Sequence, residues 1–331
     1  ETGAYVVETR SGGSWTSLAT GTTAADGTWS TNWTPSGTTV VRVRLADSSA
    51  TSTPITITMR PRIVIRSIGR AQAFVGVRVV ARISPSSYAG RVAFAVHYAG
   101  KVRATVAQRP TSGKLIVTIP NNGVGSLPVS VVAPAYGHFA RTTKRFAVGA
   151  PVRALGIGSR GPDVAALLRR MRYLNFHTPS TTKSYSMPVG EVVMAFHKAH
   201  RMARTYSVDR ATWKAIATAS PMRPRFATPA RHIEVDKTRQ IMMLVRYGKV
   251  IGTLHVSTGA TGNTPVGRWN IYQKGGSHLY QFMAFVGNYG IHGYVPVPEY
   301  PASHGCVREP MWAAAWTYDH TDYGDEVHIY T

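Results

Sequence analysis

The chain has 331 residues, 44% of them hydrophobic, with 38 Lys and Arg against 15 Asp and Glu for a formal net charge of +23. Such a length suits two to four domains with buried cores. The sequence contains no run of about 18 apolar residues, which excludes a membrane-spanning helix within it, and its single cysteine excludes an internal disulfide. No basic-then-apolar segment opens it, so it reads as a mature or trimmed form from which a signal or anchor is expected to have been lost.

The charge is unevenly placed. Residues 1–60 carry four Lys and Arg against four Asp and Glu, 61–150 thirteen against none, 151–226 thirteen against three, and 227–331 eight against eight. The basic middle attracts polyanions in a salt-dependent way; nucleic acid, anionic envelope polymers and membrane surfaces are the candidate classes. Its arginines alternate with apolar residues in V-V-R-V-R-L and V-G-V-R-V-V-A-R-I, as on solvent-facing strand faces. No finger, RNP or GXXG pattern accompanies them, so no nucleic-acid partner is expected. A solvated basic face and a polyanion-attracting role both stay open.

Residues 1–60 alternate with a period of two. T-T-V-V-R-V-R-L places Val41, Val43 and Leu45 on one face and Arg42 and Arg44 on the other, with turns signalled at Ala25-Asp26-Gly27 and Pro35-Ser36-Gly37. Residues 61–149 continue the style, with strand candidates at 62–68, 73–83, 91–98, 101–108, 114–119 and 127–133. The two stretches read as Ig-like β-sandwich modules, the first of them partial. W-T-S-L-A-T-G-T-T-A-A-D-G-T-W-S is similar to bacterial Ig-like surface modules, and a spacer role is the expectation for both.

At residues 150–226 the period changes. Pro162 and Asp163 form a helix start, and Val164, Leu167, Leu168 and Met171 then recur at helical spacing. A second helix at about 189–200 carries Val192, Val193 and Phe196; a third begins at Asp209 and carries Trp213 and Ile216. L-G-I-G-S-R-G-P-D-V-A-A-L-L-R-R-M-R-Y-L, A-F-H-K-A-H and V-D-R-A-T-W-K-A-I together resemble the three-helix peptidoglycan-binding module. Leu168 stands where that module has a glutamine, T-T-K-S-Y-S-M-P-V-G replaces its glycine-rich turn, and His197 replaces its second glutamine. Glycan binding and a purely structural linker are both open.

Residues 227–331 carry the chemistry. A hairpin turns at Tyr247-Gly248-Lys249, one helix is expected at about 310–319, opened by Pro310, and D-E-V-H-I-Y ends the chain as a strand. Between them lie I-H-G and, after a proline-rich gap, S-H-G-C-V-R. A thiol at its ordinary pKa of about 8.5 is mostly protonated at neutral pH and needs a base or a positive environment to react. His304, His292 and Arg308 supply such groups within seventeen residues of sequence. Two other readings stand beside catalysis: a buried structural thiol, and zinc held by His292, His304 and Cys306, for which no fourth ligand is evident.

I-H-G, the proline-rich gap and S-H-G-C-V-R resemble the active-site signature of the L,D-transpeptidases (the YkuD-type catalytic domain). I-E-V-D-K-T-R-Q, V-S-T-G, T-P-V-G-R-W and Y-G-I-H-G match in the same order across 228–331. The resemblance implies a β-sandwich with Cys306 as nucleophile and His292 as general base, oriented by the Gly293 carbonyl. Ser303 and His304 would shape the pocket, Arg308 would be structural or bind substrate, and the Gly305 and Cys306 amides would receive the oxyanion. Tyr280 and Tyr294 would line the pocket. The gap between His292 and Ser303 is shorter than in many relatives, which bears on the donor-site loop.

The resemblance further implies peptidoglycan stem peptides as partners, a tetrapeptide as donor and a diamino acid as acceptor. The products are a 3→3 cross-link and D-Ala, formed through a thioester. Alternatives are an L,D-carboxypeptidase using the same site, a catalytically inactive wall-binding protein, or another cysteine acyltransferase such as a sortase or peptidase. It implies acylation by carbapenems, no metal or cofactor, and an extracytoplasmic location in a bacterial envelope, where a lone cysteine avoids trapping as a disulfide. The basic 61–226 region would hold the protein to anionic wall polymers. The architecture expected is multidomain and mainly β: 1–60 and 61–149 Ig-like, 150–226 three-helix, 227–331 catalytic.

Overall fold

The computed structural model describes residues 2–11, 13–70, 73–121 and 123–331, without the side chain of Ser11. It divides into two compact units, one of Glu1–Ala71, Gly76–Asn122 and Ser126–Gly149, the other of 72–75, 123–125 and Ala150–Thr331. Among the described residues no helix is long and apolar enough to cross a membrane.

The first unit is built from strands. β1 (Ala4–Ser11), β2 (Ser14–Thr22), β3 (Thr39–Leu45) and β4 (Ile55–Ile57) form a sheet in the order β2-β1-β3-β4. Alternation buries Tyr5, Val7 and Val41 on one face. On the other, Arg42 and Arg44 both reach Glu8, at 2.7 and 3.1 Å. Leu45, expected on the core face, is exposed instead, because it ends β3 where the chain turns away.

β5 (Arg62–Ile68), β6 (Val77–Ser84), β7 (Val92–Tyr98), β8 (Lys101–Gln108), β9 (Lys114–Ile119), β10 (Gly125–Ala133) and β11 (Thr142–Ala150) follow. They pair as two sheets, β5-β6-β9 and β11-β10-β7-β8. Val77, Val79, Ala81 and Ile83 of the first sheet, and Val92, Phe94 and Val96 of the second, are buried while their neighbours are more exposed. β6 begins at Val77, later than the expected 73, because Phe74 takes a left-handed φ of 59° that no extended strand accepts. β11 carries only weak apolar alternation, T-T-K-R-F-A-V-G-A, and was not among the expected strands.

In the second unit, α1 (Pro162–Tyr173), α2 (Met187–Ala199) and α3 (Arg210–Thr218) start at Pro162, after Ser186 and after Asp209. The Asp209 carboxylate accepts the Thr212 amide at 2.7 Å, satisfying one orphan donor of α3. Val164, Leu167, Leu168 and Met171 are fully buried, as are Val193, Phe196 and Ile216. His197, where the resembled module has a glutamine, is used internally: Nδ1 contacts the Thr205 carbonyl at 2.9 Å and Nε2 the Thr212 hydroxyl at 3.0 Å.

The remainder is a two-layer β structure. The strands are β12 (His232–Asp236), β13 (Ile241–Arg246), β14 (Lys249–His255), β15 (Gly267–Asn270), β16 (Gln273–Lys274), β17 (Tyr280–Val286), β18 (Tyr289–Tyr294), β19 (Val307–Pro310) and β20 (Glu326–Tyr330). α4 (Met311–Asp319) follows β19 directly. One sheet runs β14-β13-β12-β20-β15, the other β16-β17-β18-β19. Ile233, Val235, Leu244, Leu254 and Ile329 face Met283, Phe285, Ile291 and Val307 across one core; each such fully buried side chain contributes on the order of 1.5–3 kcal/mol. The outer side of β12 is covered too. The Arg225 and Phe226 amides each donate to Glu234 at 2.9 Å.

α2 and the segment after it are joined to this sandwich by side chains. The buried Lys198 ammonium donates to the Val256 carbonyl at 2.8 Å and lies 3.3 Å from His255 Nδ1. The Trp312 indole donates to Glu191 at 2.6 Å, and Arg204 donates to the Glu299 and Thr238 carbonyls at 2.6 and 3.2 Å.

Candidate active site

β18 and β19 run parallel, with His292 beside Arg308 and Ile291 beside Val307. Cys306 immediately precedes β19, in the bend that leads into it. The half-buried thiol takes a hydrogen bond from the Gly290 amide, and Sγ lies 3.9 Å from the Asn288 carbonyl. The two halves of the candidate site thus come from β18 and from the bend that opens its neighbour β19, 14 residues apart in sequence.

The chain just before β19 is tied down at almost every residue. The Ser303 hydroxyl donates to the Cys306 carbonyl at 2.6 Å and accepts the Gly305 amide at 3.1 Å. The segment 257–264 cradles the same loop: Ser303 N donates to Thr258 O, Ala260 N to Ser303 O, Asn263 Nδ2 to His304 O and Thr264 Oγ1 to Gly305 O. Gly305 needs to be glycine on two counts. Its φ is 143°, and a Cβ there would sit 2.2 Å from the Tyr289 ring.

His292 is buried, with Nδ1 3.0 Å from the Gly293 carbonyl. Burial pushes its pKa below the ordinary 6.5, and the Arg308 and His278 charges push the same way, against the Gly293 hydrogen bond. Burial pushes the Cys306 thiol up, opposed by the Gly290 amide and the Arg308 charge. Arg308 itself is half-buried. It donates to the Ala302 carbonyl at 3.1 Å and lies over the Tyr294 ring at 4.1 Å.

Tyr294 stands nearly perpendicular to the His292 ring, at 5.8 Å between centroids. Tyr280 lies opposite Gly293 across β17 and β18, and its ring, with Ala314 and Met311, occupies the place where a Gly293 side chain would be. The His304 side chain is exposed to solvent, and its role in the loop is through its carbonyl. The Gly305 amide, expected to receive an oxyanion, donates to the Ser303 hydroxyl at 3.1 Å. Among the described residues no group of three or more His, Cys, Asp and Glu is placed to hold a metal ion.

Several residues here carried no signal from residue type alone. Ser257, Asn263 and Thr264 lie within and between V-S-T-G and T-P-V-G-R-W, and that ordered pair of motifs was the signal available for them. Tyr289 and Gly290 lie just before I-H-G.

Residues 230–329 match the family model of the YkuD L,D-transpeptidase catalytic domain. Among solved structures, the chain is similar to the L,D-transpeptidase of Xylanimonas cellulosilytica, with 28% identity, 54% of this chain and 98% of that chain covered, and a TM-score of 0.50. That coverage is longer than the matched catalytic region. An L,D-transpeptidase from Stackebrandtia nassauensis is 23% identical, covering 54% of this chain and 95% of that one, with a TM-score of 0.35. An L,D-transpeptidase solved in complex with imipenem is 12% identical, over 80% of this chain and 98% of that one, with a TM-score of 0.29. No curated protein matches.

Proposed function

With residues 230–329 forming a YkuD-type L,D-transpeptidase catalytic domain, we propose that the protein joins peptidoglycan stems by 3→3 cross-links through a Cys306 thioester. The observation that carries this reading is the placement of Cys306 in the bend that opens β19, hydrogen-bonded by the Gly290 amide two residues before His292 on the parallel neighbour β18, with the Arg308 charge acting on both. His292 Nε2 takes the thiol proton as Sγ attacks the carbonyl of the third residue of a tetrapeptide stem. The Cys306 amide receives the oxyanion, since the Gly305 amide is occupied. The C–N bond to D-Ala breaks, and the D-Ala amine leaves with the proton from His292. The side-chain amine of a second stem then attacks the thioester, giving a new amide and the free thiol.

Such a substrate lies outside the cytoplasmic membrane, and that is the location proposed. A carbapenem offers its strained carbonyl to the same Sγ and is expected to acylate it. Incubation with purified disaccharide-tetrapeptide, read by mass spectrometry beside Cys306→Ala, tests the proposal. A dimer lacking one D-Ala, absent with the variant, is the expected result. Tripeptide alone identifies a carboxypeptidase, and unchanged substrate removes the assignment of this donor.

A further inference from the structure

The stretch 61–150 has thirteen Lys and Arg and no acidic residue, and no ion pair among the described residues includes any of them. On one sheet these cations border a cavity. The outward face of β11-β10-β7-β8 has a floor of small or half-buried side chains: Ala93 and Ala95 of β7 lie opposite Val132 and Ser130 of β10. Arg141, immediately before β11, and Thr143 and Arg145 within it alternate and together line one side as a wall. His97, Pro128, Ser130, Val132, Arg141 and Arg145 line a space of about 420 Å³. The His97 ring lies 2.9 Å from the Ser130 hydroxyl, and both arginines are exposed.

We propose that this trough binds a linear polymer of sugar or alditol units bearing phosphate or carboxylate groups. Each part of the trough matches one part of such a chain. Guanidinium groups bind phosphate and carboxylate in a forked, charge-assisted geometry. Two arginines four residues apart on an extended strand have Cα atoms about 13 Å apart, which suits repeated anionic groups better than a single small ion. Thr143, Ser130 and His97 present hydroxyl and ring nitrogen partners for polyol hydroxyls. Pro128 and Val132 meet C–H surface. A single-stranded nucleic acid fits less well, because its binding sites stack bases on aromatic rings and no Phe, Tyr or Trp lines this cavity. A membrane surface would meet the rim and leave the floor empty. The site goes beyond the catalytic reading and does not depend on it.

The test is binding of the full chain to fluorescently labelled poly(glycerol phosphate) and to labelled polygalacturonate, by anisotropy at low and moderate salt. Binding to either polymer is expected, and the stronger of the two identifies phosphate or carboxylate as the recognised anion. The double variant R141A/R145A is expected to weaken binding about ten-fold or more. R78A/R82A removes the same charge from the outward face of β6, on the other sheet, and is expected to weaken binding less than about three-fold. Ser130→Tyr fills the trough without changing charge and is expected to abolish binding; Thr143→Tyr, at an exposed position, serves if Ser130→Tyr lowers the melting temperature. Three results overturn the proposal: no binding to either polymer, equal loss from both arginine pairs, or tighter binding to oligothymidylate or to phosphatidylglycerol vesicles.

Discussion

The His292 ring hydrogen-bonds the carbonyl of its own chain neighbour, Gly293, at 3.0 Å. A carbonyl only accepts, so Nδ1 carries the hydrogen, and in the neutral ring Nε2 keeps the free lone pair. The tautomer needed in a general base is therefore set by the backbone of β18 itself.

Burial favours the uncharged form of both His292 and the Cys306 thiol, which on the proposed mechanism predicts a particular pH dependence. Burial lowers the His292 pKa below 6.5 and raises that of the Cys306 thiol. These directions favour thiol and imidazole at pH 7, and on the proposed mechanism the thiolate forms as His292 takes its proton. The acid limb of kcat/KM is expected to have its midpoint below 6.5, and iodoacetamide alkylation of Cys306 is expected to keep rising through pH 9. Alkylation that levels off by pH 7 would instead mean a preformed thiolate–imidazolium pair.

Ser303 acts on Cys306 through two hydrogen bonds, to its carbonyl at 2.6 Å and from the Gly305 amide at 3.1 Å. Ser303→Ala orphans both peptide groups in a buried loop, at about 1–3 kcal/mol each, and loosens the nucleophile. A misplacement near 1 Å costs on the order of 100-fold. The acylation rate, followed by mass spectrometry in single turnover, is expected to fall about 10–100-fold, with partial recovery in Ser303→Thr. Unchanged acylation would show that the 257–264 cradle alone holds the loop.

The regular elements were legible where periodicity was strong. Val164, Leu167, Leu168 and Met171 mark α1, and Tyr247-Gly248, both at positive φ, mark the hairpin. β11 was not, because its first four residues, T-T-K-R, are polar or charged on both faces and its apolar alternation begins only at Phe146. In the candidate site, Cys306 and His292 stood out as reactive residue types in a specific spacing. Asn263, Thr264 and Lys198 act through contacts 41 or more residues distant in sequence, which no local pattern reports. The commitment of the Gly305 amide to Ser303 depends on a backbone bend, and residue identity alone does not specify where that amide points.

Arg204 offers a test of how the helical segment influences the loop between His292 and Ser303. Its guanidinium holds the Glu299 carbonyl at 2.6 Å and the Thr238 carbonyl at 3.2 Å, while Ser257 Oγ holds the Tyr300 carbonyl at 2.8 Å. Arg204→Ala frees one of these anchors. The expected outcome is a KM raised about 3–10-fold, equivalent to roughly 1 kcal/mol, with kcat little changed, faster amide exchange in 295–301, and partial recovery in Arg204→Lys. A fall in kcat with KM constant would place the effect on Cys306 rather than on the loop.

Glu309 follows Arg308 on β19 and points to the other side of the strand, into the protein. It is fully buried, accepts the Thr317 hydroxyl at 2.6 Å through Oε2, and its Oε1 has no partner among the described residues. Burial raises its pKa from 4.5 to about 8, against the Thr317 hydrogen bond. A carboxyl whose folded pKa lies above its unfolded value contributes stability that is complete below about 4.5 and is lost as pH rises through about 8. Glu309→Gln keeps the shape and removes the titration, so the difference in melting temperature between variant and parent isolates this group from the other ionisations. That difference is expected to be small near pH 4 and to grow in favour of the variant up to about pH 8–9. A difference that stays constant across this range would mean that Glu309 is already ionised in the folded protein, with a cation or water supplying the partner its Oε1 lacks.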